Sequence, residues 1–309
     1  MRVALLFTDG VGIGARDPEV NPLARGDYLL SQFDDGSGSA LAGGALIPID
    51  PTFGMPGRPQ SASNQTALLT GLPAPRLLGR HVLGYPDAPL LALLREHSLV
   101  KRLVARGRRA TFANGYPIAY LRALGLPHQG SGEPEFEIPA RARRRLRPSA
   151  TTAAFAAAGV PLRTLDELRA GEALAPDVTG AHGRTRGLSV PGRTPAEAAE
   201  VFWRIAGPMD FTLFEHFAAD EAGHAQDAEA ATDALATFDA FARAVVAARP
   251  PEVRVLVTSD HGNVEDLRSR NHTRAQVPLL AFPPLPAAVR PQTVAEVGQL
   301  WFDEADAGA

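Results

Sequence analysis

Residues 254–263, RVLVTSDHGN, decide the fold. Arg254 to Thr258 alternates in the manner of a strand and stops at Ser259-Asp260-His261, with Gly262 relieving the turn. An apolar strand that runs out into polar residues and glycine delivers side chains to the carboxyl edge of a sheet. Working outward, residues 2–8 (RVALLFT) form a second such run, which ends at Asp9-Gly10-Val11-Gly12. Residues 109–113 (RATFA), 211–214 and 277–282 add three more strands. Between them, Leu90–Val104 and Val294–Phe302 carry apolar residues at helical spacing, and Asp227–Ala248 places Leu235, Phe238, Phe241 and Val245 on one face. Alternating strands and helices predict an α/β fold, a mainly parallel sheet flanked by helices on both faces. The core is expected at 1–117 and 191–309. Residues 118–190, broken by Pro and Gly, are expected to be a small inserted cap. The basic run 141–147 (RARRRLR) reads as a solvated face, or as a rim that draws in an anionic substrate.

Composition removes several alternatives. A chain of 309 residues with 45% hydrophobic content is globular. It contains no cysteine, which excludes a disulfide scaffold, a thiolate zinc site, an iron–sulfur cluster and a cysteine nucleophile. A net charge of −3 argues against a dedicated nucleic-acid binder. No uncharged apolar stretch reaches the roughly 18 residues of a membrane span, and the opening MRVALLFTDG lacks the pattern of a signal peptide. A cytoplasmic protein without a membrane partner is expected.

Four segments at element ends concentrate the unusual residues. Asp9-Gly10 puts a carboxylate on a turn that can approach a metal closely. Asp220 and His224, four apart, share one side of a helical turn and can bind one ion. Asp260-His261-Gly262-Asn263 and Asn271-His272-Thr273-Arg274 complete the set. The bland reading of each is a turn or a surface residue. Together they offer three carboxylates and three imidazoles, enough for two ions such as zinc or manganese. Ser61, in SASNQTALLTG (61–71), is expected at a helix N-terminus, where the backbone favours an anion such as phosphate. Ser61 or Ser63 as a plain N-cap is the competing reading.

Asp9-Gly10, the Ser61 segment, Asp220-xxx-His224, Asp260-His261-Gly262-Asn263 and His272-Thr273 occur in the order and rough spacing of the alkaline phosphatase superfamily. The chain most resembles the cofactor-independent phosphoglycerate mutase and phosphopentomutase branch, through its Asp-His-Gly-Asn quartet, its His-Thr-Arg before Val-Pro-Leu-Leu and VGIG after the first Asp. The resemblance covers roughly the first and last hundred residues. It implies one metal held by Asp220, His224 and His272, and a second held by Asp9, Asp260, His261 and the oxygen of Ser61. The ions would be Mn²⁺ or Zn²⁺, with Mg²⁺ as an alternative.

In related phosphodiesterases a Thr-x-x-Asn-His motif leads into Thr-Gly, and that spacing places the nucleophile on Ser61 and an Asn at Asn64. The resemblance therefore implies that Asn64 donates to the developing phosphoryl charge. The mutases carry Gly-His where this chain has Asn64-Gln65. The function expected is phosphomonoester hydrolysis of a small phosphorylated metabolite through phosphoserine, with phosphomutase or phosphodiesterase activity as alternatives. A sulfatase would need Pro and Arg after its nucleophile, and SASNQ has neither. Arg80, His81, His182, Arg184 and Arg186 are further residues within possible reach of substrate; His97, His128 and His216 read as packing or surface residues.

Overall fold

A computed structural model describes residues 1–307. Its main sheet has six strands: β1 (Arg2–Thr8), β2 (Ala45–Ile49), β3 (Ala110–Phe112), β6 (Phe211–His216), β7 (Val253–Thr258) and β8 (Val277–Phe282), in the order β2-β8-β7-β1-β6-β3. Two short strands, β4 (Gly115–Tyr116) and β5 (Arg163–Thr164), pair in parallel beside it. β1 lies centrally and runs parallel to both β6 and β7, and β3 runs parallel to β6. The sheet is therefore α/β and mainly parallel, with one exception: β8 is antiparallel to both β7 and β2.

Side-chain alternation in β1 builds two cores. Val3, Leu5 and Phe7 pack on one face with the helices Ser61–Thr70, Ala88–His97 and Val294–Asp306. Ala4 and Leu6 point to the other face, against the helices Pro195–Ala206 and Ala228–Ala247. A strand buried on both faces needs apolar residues at successive positions, and RVALLFT supplies them. Trp301 stacks on Phe211 with ring centroids 3.9 Å apart and donates its indole N–H to Leu68 O at 3.1 Å, which ties the last helix to the sheet and to the Ser61 helix.

Three local features were not legible as elements. Leu90–Val104 is two helices, Ala88–His97 and Leu99–Ala105, because Ser98 leaves helical backbone geometry and caps the second through Lys101 N. β2 lies in a Gly- and Pro-flanked stretch too short to show periodicity. Within 118–190, the helix Ala150–Ala157 sends Ala150, Ala154 and Phe155 into the first core, and Phe155 stacks on Phe112 at 5.4 Å. Leu165, Leu168, Ala173, Ala175 and Val190 form a separate small cluster. Among the described residues no helix is long and apolar enough to cross a membrane.

Candidate metal centre

Strand direction assembles the site. The carboxyl ends of β7, β1 and β6 are neighbours, and immediately beyond them lie Asp260-His261, Asp9, and the helix Ala218–Ala225 that carries Asp220 and His224. Because β8 is antiparallel, its amino end reaches the same edge, with Val277 paired to Ile49 at the carboxyl end of β2. His272, just before β8, and Ser61, soon after β2, therefore arrive beside the other five residues.

Six of the seven side chains converge as two trios, with Ser61 beside them. Asp220, His224 and His272 present ligand atoms within 4.8 Å of one another, as do Asp9, Asp260 and His261. The trios abut through the stacked rings of His261 and His272, whose centroids are 3.7 Å apart. Ser61 Oγ lies 2.9 Å from His261 Nε2, which is itself 3.2 Å from Asp9 Oδ1 and 3.5 Å from Asp260 Oδ2.

The donor chemistry fits divalent cations. His224 Nδ1 lies 2.7 Å from Arg270 O and His272 Nδ1 2.9 Å from Pro59 O, so in each ring Nδ1 carries a proton and Nε2 is the atom that turns to the site. Those two Nε2 atoms face each other at 3.1 Å beside the Asp220 carboxylate. A divalent cation against both atoms, in place of a proton on one of them, suits that approach. In the other trio, Asp9 Oδ1 and Asp260 Oδ1 are buried without a hydrogen-bond partner, and buried carboxylates without partners are costly.

The electrostatics of the trios differ. Burial, then the charges of Asp260, Asp220 and Glu215, push the Asp9 carboxyl well above the usual range. Burial, then Asp220, pushes Asp260 up to about 8. Burial and the adjacent His272 hold His261 down at about 3. Asp220 moves in the opposite direction. Burial works against it, but the His224 hydrogen bond and the neighbouring His261 and His272 hold its carboxyl at about 2.

Ser61 is the first residue of its helix and does not cap it. The cap position is Gln60, which makes no side-chain capping bond. The hydroxyl of Ser61 is thus free for the site, and the first-turn N–H groups lack a side-chain acceptor. Ser63 is occupied elsewhere: its Oγ donates to Gln60 O and accepts from Val82 N. Asn64 departs from the expectation drawn for it. It is fully buried and its amide donates to Pro51 O and Asp260 O, both at 2.8 Å, so no donor remains for a phosphoryl group. Asn64 instead anchors the Asp260 turn to the start of the Ser61 helix.

Three residues of the site were not singled out in the sequence. Gln65 Nε2 donates to Asp9 Oδ2 and Asp260 Oδ2, each at 3.1 Å, and holds two like charges side by side. The signal was its place four after Ser61, on the same helical face. Glu265 accepts from Gly12 N at 2.9 Å, Asn263 N at 2.8 Å and the Thr273 hydroxyl, so one carboxylate gathers three site loops. Asn263, quoted only as part of its quartet, donates to Asp220 Oδ1 at 2.7 Å. Gly10 is required for a steric reason: at φ +74° a Cβ there would stand 2.5 Å from Asp220 Oδ1.

A cavity of about 620 Å³ opens from Asp9, Ser61 and Asp220 toward residues 115–190 and is lined there by His182 and Arg186. Arg80 pairs with Asp87, Arg184 bonds Thr179 O, and His81 is tucked against Gly57. His216 bonds the Thr8 hydroxyl, His128 bonds Gln129 O and His97 is exposed, so none of the three joins the site.

Comparison with known proteins finds likenesses over parts of the sequence and in the fold. A family model described as the metalloenzyme superfamily matches residues 177–300. The phosphopentomutase of Methylobacterium radiotolerans is 40% identical over 81 residues, 25% of this chain and 20% of that protein. The phosphopentomutase of Deinococcus radiodurans is 27% identical over 185 residues, 57% of this chain and 44% of that protein. This chain therefore spans less than half the length of these relatives. The solved alkaline phosphatase of the Antarctic bacterium TAB5 shares the fold with a TM-score of 0.53 at 14% identity, over 100% of this chain and 98% of that one. A Pyrococcus horikoshii protein does so with a TM-score of 0.52 at 13% identity, over 99 and 96% of the two chains.

Proposed function

We propose that the chain is a phosphoryl-transfer metalloenzyme of the alkaline phosphatase superfamily, a reading supported by the metalloenzyme superfamily match over residues 177–300, and that it hydrolyses a small phosphomonoester through a phosphoserine at Ser61. The observation that carries this reading is the convergence of two metal-ligating trios beside one uncapped helix-start hydroxyl. Asp220, His224 and His272 would hold one divalent cation; Asp9, Asp260, His261 and Ser61 Oγ would hold the other. Manganese or zinc suits the mixed oxygen and nitrogen donors. Such ions supply charge neutralisation and favour the deprotonated hydroxyl.

The residues of the chain do the rest. Gln65 and Glu265 fix the carboxylates and loops, so little reorganisation is needed when charge develops. The free N–H groups at the start of the Ser61 helix face the phosphoryl oxygens. Ser61 Oγ forms a bond to phosphorus as the bond to the leaving oxygen breaks, and the alcohol departs with a proton. Water then attacks phosphorus, the Ser61 ester breaks, and phosphate leaves. Residues 118–190 act as the cap that shapes the cavity. If an alcohol hydroxyl attacks in place of water, the same chemistry is a mutase, a second reading that the phosphopentomutase relatives favour. We place the enzyme in the cytoplasm with its metabolite substrates.

The test is hydrolysis of p-nitrophenyl phosphate with Mn²⁺ or Zn²⁺, alongside mass spectrometry for a phosphorylated Ser61 peptide. Turnover with a labelled Ser61 supports the proposal. Absence of both with every divalent ion tried rejects it. Incubation with ribose 1-phosphate, scored for isomer against free phosphate, separates mutase from hydrolase.

A further inference from the structure

Glu215 is the one buried charge of the cavity that the metal centre does not use. It is the fifth residue of β6, opposite Phe7 of β1, only 6% exposed, and it lines the cavity between the trios and residues 116–120. Asn114 clamps its peptide from both sides, accepting from Glu215 N at 2.9 Å and donating to Glu215 O at 2.7 Å, so the side chain is held in place. Among the described residues no Arg, Lys or His forms an ion pair with it; burial pushes its carboxyl up to about 7, against a hydrogen bond with Thr151 that favours the ionised form. A buried carboxylate open to a cavity and lacking a cation calls for a donor from the ligand.

The surroundings narrow that ligand. Tyr116 stacks on Tyr120 and tilts against Phe112, with centroids 5.9 Å apart in each case, giving an aromatic wall beside Glu215. Asp177, the other acid deep in the cap, is committed to its own turn through Gly180 N, His182 N and the Thr179 hydroxyl. Arg186 and His182, which also line the cavity, stand on a different segment from Glu215.

We infer that Glu215 is the specificity-determining residue of this cavity, selecting phosphate esters whose leaving alcohol offers hydroxyl or ammonium donors and rejecting esters that carry a second anion. This rests on the reading of the cavity as the substrate site of a phosphoryl-transfer enzyme. A donor on the alcohol satisfies the carboxylate while the carbon skeleton covers the tyrosine faces. A carboxylate on the alcohol would be brought against a like charge in a poorly solvated space.

The experiment uses the metal-loaded full chain with four esters: ribose 5-phosphate, phosphoethanolamine, p-nitrophenyl phosphate and 3-phosphoglycerate. Binding to Ser61→Ala is measured by calorimetry, with and without Glu215→Gln, and kcat and KM are measured for Glu215 and Glu215→Gln with Ser61 intact. A hydrogen bond to a charged group, at about 1.5–3 kcal/mol, corresponds to about 10- to 100-fold. The Gln variant should therefore lose about that much affinity and kcat/KM, through KM, for the donor esters relative to p-nitrophenyl phosphate, and should gain on 3-phosphoglycerate. The larger loss, on phosphoethanolamine or on the pentose ester, identifies ammonium or hydroxyl as the partner. Equal losses on all four esters, or none, overturn the inference. Selective binding without turnover in the parent protein would sink the enzymatic proposal and leave this one standing.

Discussion

The two trios use the same residue types and sit against each other, yet they live in different dielectrics. The Asp9, Asp260 and His261 side chains are almost completely buried; burial and Asp260 push the Asp9 carboxyl upward, and burial and Asp220 push that of Asp260 upward. The other trio opens to water through His224, whose side chain is 40% exposed, while Asp220 is 14% and His272 1% exposed. Its carboxyl is pulled down by imidazoles instead. The difference teaches that like ligands need unlike support. The buried pair of carboxylates is bridged by the Gln65 amide, and among the described residues no Arg or Lys forms an ion pair with it, so a proton or a bound ion must neutralise it. The open trio is held by backbone carbonyls behind each histidine and by Asn263, and would take an ion in place of a proton between the facing Nε2 atoms.

Ser61→Ala gives the largest expected effect, because the hydroxyl belongs to the buried trio and to the chemistry at once. Loss of a nucleophile in a preorganised site costs about 10⁴-fold or more in kcat. Thermal stability should stay near that of the parent, since Ser61 caps nothing. Steady-state assays and thermal melts check both statements, and retained turnover would remove Ser61 from its role. Next, His272→Ala should empty the open trio while the buried trio stays filled, which elemental analysis reads as a drop from two bound ions to one. A brief chelator pulse on the parent protein should do the same, removing the solvent-facing ion first. Simultaneous loss of both ions would mean that the trios behave as a single unit.

Gln65→Ala tests the buried side. Residues behind metal ligands typically contribute about 10- to 100-fold in metal affinity or activity, and here the lost amide leaves Asp9 Oδ2 and Asp260 Oδ2 facing each other without a bridge. Titration of the metal-free protein should show the weaker affinity confined to the buried ion. A uniform change in both would place Gln65 in general packing.

The legibility of this site in the sequence follows the same division. Asp9, Asp260 and His261 stand directly beyond apolar strands, and Asp220 and His224 share a helical turn, so periodicity and spacing pointed to them. The arrival of His272 depended on β8 running antiparallel, which an apolar run such as VPLLAF does not reveal, since direction is set by pairing with β7 and β2. Gln65, Glu265 and Glu215 escaped notice because a polar residue that holds other residues, or waits for a ligand, carries no pattern of its own. Asn64 was misread because the orientation of a buried amide depends on which carbonyls surround it, here those of Pro51 and Asp260.

The smallest effect is the most specific to the comparison, because the two trios give opposite signs of pH dependence in metal-free protein. Asp9 and Asp260 have carboxyls raised above their unfolded values, so the folded state binds more protons than the unfolded one between about pH 4 and the value of about 8 for Asp260. Stability should therefore fall as pH rises through that window. Asp220 is lowered, so its contribution is present above about pH 4 and fades as pH drops toward about 2. His261, held down at about 3, works in the opposite direction up to the ordinary histidine value of about 6.5. With chelator present, the melting temperature should therefore decline between about pH 7 and pH 8, beyond the range in which His261 opposes it. Adding Mn²⁺ should cancel the decline, because a cation makes the ionised carboxylates favourable and displaces their protons. A chelated protein whose melting temperature rises from pH 7 to pH 8 would mean that the buried carboxylates are already neutralised from within the chain, and would remove the reason for assigning that trio a cation.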